Sequence, residues 1–220
     1  MPLCPWESAQ YFFFSSNVPP LFYYSHGISV VFALVFGFLL FLKVRKILAA
    51  KLFFIITLLF SSWVLLDLYI WANNNPSSIL FFWSIIILVE ALIYIFSIYF
   101  IDVFNEKQDV SFKKKLLMAL LVLPIIVTLP TRFNLSGIDM GYCVALEGIV
   151  ATYYIYTVEV FSIMWILFYS FKLYEKTIEL SSRRQIIFST TGIILFLLAL
   201  SSGNLIGSLT DQWQYSQYGL

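Results

Sequence analysis

The stretch from Tyr142 to Ser170, YCVALEGIVATYYIYTVEVFSIMWILFYS, decides the fold. From Ile149 onward it is apolar and aromatic for at least the ~20 residues that a bilayer crossing needs, yet Glu159 lies near its middle. A carboxylate at that depth costs about 3 kcal/mol on insertion scales unless it faces protein, water or a partner. The stretch therefore predicts a transmembrane helix packed against other helices that provide an interior for Glu159.

The composition of the whole chain agrees with a membrane protein. Of its 220 residues, 61% are hydrophobic and 11% are charged, whereas a soluble domain has about 45–50% apolar and about 25% charged residues. We therefore predict an all-α polytopic membrane protein whose main partner is the lipid bilayer. No basic patch with interleaved aromatic residues occurs outside the short loops, so nucleic acid is not an expected partner.

Apolar runs and the breaks between them predict an arm over residues 1–24, a transmembrane bundle over 25–202 and a tail over 203–220. Within the bundle, Pro124 lies inside the shortest span and predicts a kink there. The six predicted spans are approximately 25–42, 52–71, 79–101, 116–129, 147–171 and 186–202.

The basic residues predict the orientation. Of the 13 Lys and Arg, 12 follow the first, third and fifth spans, and only Arg132 lies on the other side. By the positive-inside rule, the N-terminus is then outside and those three turns are cytoplasmic. The arm and the tail are accordingly predicted to be extracytoplasmic.

Several chemistries are not expected. His26 is the single histidine, which excludes a multi-histidine metal site or a bis-histidine haem within the chain. No lysine lies in the middle of a span, no glycine-rich phosphate-binding motif occurs, and no nucleophile stands beside a base. We therefore predict no catalytic residues, no metal and no cofactor.

Two carboxylates are predicted at mid-membrane depth. Glu90 lies 11 residues after Ile79, and Glu159 lies 11 after Gly148, so each is about 16 Å along a helix that enters from the outer side. The inner half of every span lacks charge, so the polar groups lead from the outer face to the midplane and stop. The predicted ligand-binding residues are His26, Asp67, Glu90, Tyr94, Glu147, Tyr156 and Glu159.

Two interpretations of these residues stay open. They either line an outward-facing acidic and aromatic pocket for a ligand or cation, or they are hydrogen-bonded struts between helices. Asp67 is also placed to pair with His26 across the first helical hairpin. Cys4 and Cys143 both fall on the outer side, where a disulfide between them is a candidate in an oxidising compartment, although their positions in the sequence do not show that they meet.

Four short motifs carry a resemblance to a family. They are SSWVLLDLYIW over 61–71, CVALEG over 143–148, RRQ over 183–185 and SSGNLIG over 201–207. With the outside N-terminus and short loops, the chain resembles the seven-transmembrane N-terminal sensor region of bacterial histidine kinases. The resemblance implies a bacterial inner or plasma membrane, a cytoplasmic kinase domain as partner, and a homodimer as a candidate assembly. It also implies a seventh helix and a kinase that these 220 residues lack, so no enzymatic activity is expected of them.

The predicted function is a sensory input module of a two-component signalling histidine kinase. A ligand in the outward-facing pocket would relay its binding by helix rearrangement, through different affinities for two helix arrangements. The alternative is a small proton- or cation-coupled transporter or channel. The alternative is weakened because the inner half of the spans lacks the polar residues that a conduction path needs.

Overall fold

The computed structural model of the protein describes residues 4–210, with side chains through Gly203. It confirms an all-α helical bundle, to which a small two-stranded sheet is added. The elements are α1 Pro20–Val44, α2 Leu48–Ala72, α3 Pro76–Glu106, α4 Phe112–Thr128, β1 Leu135–Asp139, β2 Val144–Glu147, α5 Ile155–Lys176 with a π-helical turn Val150–Tyr154 before it, and α6 Leu180–Thr210.

Among residues 4–210, five helical segments are long and apolar enough to cross a membrane. They are α1, α2, α3, the π-helical turn joined to α5, and α6 as far as Gly203. The helix α4 is not one of them, because it has only 17 residues and contains Pro124. A multi-pass membrane-embedded chain follows from these five segments.

Most helix boundaries differ from the predicted spans for local reasons. The helix α1 begins at Pro20 rather than at residue 25, because a proline in the first helical turn has a suitable fixed φ and no N–H to leave unpaired. The helix α4 begins at Phe112 rather than at 116, since the three lysines at 113–115 favour helix. The tail predicted from residue 203 is helical through Thr210, and residues 211–220 lie outside the described part.

The segment between the fourth and fifth predicted spans contains a β-hairpin that the sequence did not predict. Strands β1 and β2 pair antiparallel, and the turn between them is closed by the Gly141 N–H, which donates to the Asp139 side chain (2.7 Å). Cys143 has a φ of +53° in this turn. Glu147, predicted as the first residue of the fifth span, ends β2 instead.

A disulfide joins Cys143 to Cys4, with 5.8 Å between the two Cα atoms. The arm is also bound to the α2–α3 turn, since the Cys4 N–H donates to the Asn74 carbonyl and the Asn74 amide donates to the Trp6 carbonyl (2.9 Å). We call the end of the bundle with the hairpin and this disulfide the hairpin end. The opposite end, where the lysine- and arginine-rich turns lie, is the basic end.

Helix α3 is the centre of the bundle. In its most apolar stretch of 18 residues, 50% of the residues are buried, against 11% in the corresponding stretch of α1. Helix α3 also contacts α2, α4, α5, α6 and both strands. Its start is fixed by Asn75, whose side chain accepts from the Ser77 N–H (3.0 Å). Helix α1 packs mainly on α2, closely enough at Gly37 that a larger residue would meet the Thr57 side chain. Polar groups on α3 therefore face protein on several sides.

Candidate functional site: a buried carboxyl pair

The structure brings Glu90 of α3 and Glu159 of α5 together. Both are almost fully buried, with 5% and 3% of their surface exposed, and their carboxyl groups are within hydrogen-bonding range of each other. The contact exists because α3 and α5 pack side by side and both residues lie on the facing sides. The sequence predicted that Glu90 and Glu159 lie at the same depth, and in the structure the two side chains are in direct contact.

A hydrogen bond between these two groups requires a proton on one of them, because two carboxylates are both acceptors. The electrostatic neighbours of Glu90 include Glu159, Glu147 and the indole of Trp63. The pair therefore lies beside a third acid and an indole. A proton or a small cation is the simplest group that would balance its charge.

Three polar atoms in this region lack a hydrogen-bond partner within the described residues. They are the Glu159 Oε1, the Ser162 Oγ and the Trp63 Nε1. The Trp63 indole interacts with the Glu90 carboxyl group without forming a hydrogen bond of normal geometry. Buried polar atoms are usually satisfied, so these atoms mark a region with spare hydrogen-bonding capacity.

Glu147 lies between the pair and the hairpin end. Its carboxylate accepts from the Trp83 indole (3.2 Å) and from the Thr152 hydroxyl (3.4 Å). Burial raises the pKa of Glu147, and these two hydrogen bonds partly oppose that rise. Because Glu147 also repels the charge on Glu90, the three acids form one electrostatic unit that begins at the hairpin.

Tyr94 connects the pair's helix to α6. It is fully buried, and its hydroxyl donates to the Leu197 carbonyl (3.0 Å) and lies 3.1 Å from the Ser201 Oγ. Tyr156 is half-buried on α5, one turn before Glu159. Tyr94 thus couples the position of α6 to the helix that holds Glu90.

The remaining two predicted residues form a separate polar pair. The His26 Nε2 lies 2.9 Å from the Asp67 Oδ2, its Nδ1 lies 3.1 Å from the Ser25 hydroxyl, and its ring stacks on Phe22 at 4.0 Å between centroids. Both residues belong to the first helical hairpin, whereas the carboxyl pair lies on α3 and α5. This pair joins α1 to α2 and is not part of the carboxyl site.

The His26–Asp67 contact is expected to contribute measurably to stability. In a double-mutant cycle of His26→Leu and Asp67→Asn, we expect a coupling of about 1–2 kcal/mol in the free energy of unfolding, because His26 is buried and its hydrogen bond is to an acid. Chemical unfolding in detergent measures it. Additive effects of the two substitutions would contradict the prediction.

Among residues 4–210, no three His, Cys, Asp or Glu side chains are close enough to hold a metal ion together. No protein family, curated protein or solved structure matches the chain. The functional proposal below is therefore supported by the geometry of the site and by the sequence motifs described above.

Two tryptophans were not among the predicted site residues. Trp83 lies two helical turns before Glu90 on α3 and donates to Glu147, whose position depends on the unpredicted hairpin. Trp63 lies one helical turn before Asp67 in the sequence, and it interacts with Glu90. No local pattern in α2 predicts the contact between Trp63 and Glu90, because this contact depends on how α2 is rotated against α3.

Proposed function

We propose that the chain is a non-enzymatic sensory input module of a two-component histidine kinase in a cell membrane. In this proposal it crosses the membrane six times, with α4 as the short kinked crossing and the N-terminus outside. The Glu90–Glu159 pair is the sensing element, and a proton or small cation is the ligand. The signal passes to a cytoplasmic kinase domain at the basic end.

Two independent features support this orientation. The basic turns favour the cytoplasmic side, and the disulfide at the opposite end suits an oxidising compartment. The hairpin end would then face the outside, and Glu147 would lie on the route from there to the carboxyl pair.

The observation that carries the proposal is a pair of buried acids in contact between α3 and α5. If the shared proton leaves, two negative charges remain in contact between α3 and α5. At about 4 Å and an effective dielectric constant of about 20, their repulsion is about 4 kcal/mol. This energy is large enough to shift a two-state packing equilibrium from one arrangement to the other.

The layer beyond the pair favours sensing over transport. Between the pair and the basic end, the buried residues that the structure describes are apolar or carry only a hydroxyl group, as Ser97, Ser170 and Thr190 do. The next buried acid on α3 is Asp102, 12 residues or about 18 Å further along the helix, and it is paired with Lys114 (2.8 Å). Ions or protons moving through the bundle would have to cross this layer, in which no buried side chain is ionisable among the described residues.

A distance measurement tests the proposal. Spin labels on Lys46→Cys and Glu175→Cys, both exposed at the basic end, are specific because both native cysteines are bonded. We expect the distance between the labels to change between acid and alkaline pH, because repulsion within the pair changes the packing of α5 on α3.

Flux in reconstituted liposomes completes the test. Absence of proton or cation flux together with a pH-dependent distance supports the sensor. An unchanged distance would contradict it, and an unchanged distance with measurable flux would favour the transporter.

A further inference from the structure

A second charged cleft lies at the basic end, apart from the carboxyl pair. It opens between the end of α3, the start of α4 and the last turns of α5, with a volume of about 370 Å³. Three lysines line it, Lys114, Lys172 and Lys176, against a single acid, Glu106. The cleft is therefore positively charged.

The lysines differ in how free they are to bind an anion. Lys114 is held by Asp102 (2.8 Å) and lies 4.0 Å from Glu106, which in turn accepts from the Tyr169 hydroxyl (2.5 Å). Lys172 and Lys176 form no ion pair with any residue of 4–210 that the structure describes. They are one helical turn apart on α5 and exposed, so both ammonium groups can face one anion.

The rest of the cleft is apolar and faces outward from the bundle. Phe168 is 69% exposed, and Leu173 continues the same wall. The adjoining smaller cavity, lined by Leu117 and Phe161, extends this surface toward the middle of the bundle. The indole N–H of Trp165, which lines both cavities, is buried without a hydrogen-bond acceptor among the described residues.

We propose that this cleft binds an anionic phospholipid. Its phosphate group would lie on Lys172 and Lys176, and its acyl chain would follow the apolar wall past Phe168 toward Leu117. Basic pockets between helices at the cytoplasmic side are suited to anionic headgroups, and the apolar wall distinguishes a lipid from a free phosphate. A zwitterionic lipid would leave the excess positive charge of the cleft unbalanced.

Lipid binding to the purified full chain tests the proposal. Native mass spectrometry would count bound phosphatidylglycerol and phosphatidylcholine, and thermal unfolding would report stabilisation by each lipid and by inorganic phosphate. The test variant is Lys172→Gln with Lys176→Gln. The matched control is Lys43→Gln with Lys46→Gln, which removes two lysines from the same end of the bundle but outside the cleft.

We expect preferential binding and stabilisation by phosphatidylglycerol. The cleft variant should weaken that binding roughly thirtyfold, at about 1 kcal/mol for each lysine, while the control variant keeps it. Equal binding of both lipids, or equal losses in the cleft and control variants, would overturn the proposal. Stabilisation by inorganic phosphate to the same extent would assign the cleft to a free anion instead. None of these outcomes bears on the carboxyl pair.

Discussion

Removing the disulfide by Cys4→Ser with Cys143→Ser is expected to lower the free energy of unfolding by about 2–4 kcal/mol. The bond closes a loop between residues 139 apart in the sequence, and loop-closure entropy gives about 5 kcal/mol for such a loop in a fully flexible unfolded chain. Helices that remain inserted in the membrane restrict the unfolded chain, so the loss is expected to be smaller. Thermal unfolding with and without reductant measures it.

The single substitutions provide the control for this prediction. Cys4→Ser and Cys143→Ser each remove the same bond, so each should destabilise the protein about as much as the double variant. Reductant should then have no further effect on any of the three. Complete thiol labelling of the wild-type protein without reductant would show that the bond is absent and would contradict the prediction.

Glu159→Gln is expected to keep the fold and abolish the pH-dependent change in the distance between the spin labels. The glutamine amide can still donate a hydrogen bond to Glu90 but cannot lose a proton, so stability should change by less than about 1 kcal/mol. Glu159→Ala should also abolish the change and destabilise the protein by about 2–4 kcal/mol, because it leaves a cavity and removes a partner of Glu90. Chemical unfolding and spin-label distances measure the two effects.

This pair of substitutions separates the sensing interpretation from the structural one. If Glu90 and Glu159 were only struts, Glu159→Gln would leave the pH response intact or would lose it together with the fold. Asp109→Asn is the matched control: Asp109 is an exposed acid at the basic end, paired with Lys115 (2.5 Å), and its loss should leave the response unchanged. Retention of the full response in Glu159→Gln would contradict the proposed function.

The sequence predicted best those features that depend only on neighbouring residues in the chain. Long apolar runs predicted the helices, because a bilayer crossing requires about 20 apolar residues whatever the rest of the chain does. The boundaries were less accurate, since Pro20 and the lysines at 113–115 lie inside helices that the apolar pattern alone would have started later. The hairpin was not predicted, because its strands are short and lie in a stretch that hydropathy identifies only as a break between spans.

For the site, the sequence by itself determined that two acids lie at similar depth in apolar helices and must face an interior. It could not determine which helices provide that interior. Only the tertiary structure decided that Glu90 meets Glu159, that Trp63 interacts with Glu90, and that His26 and Asp67 form a separate pair. The physical reason is that depth follows from counting residues along one helix, whereas contact depends on the rotation and packing of several helices around α3.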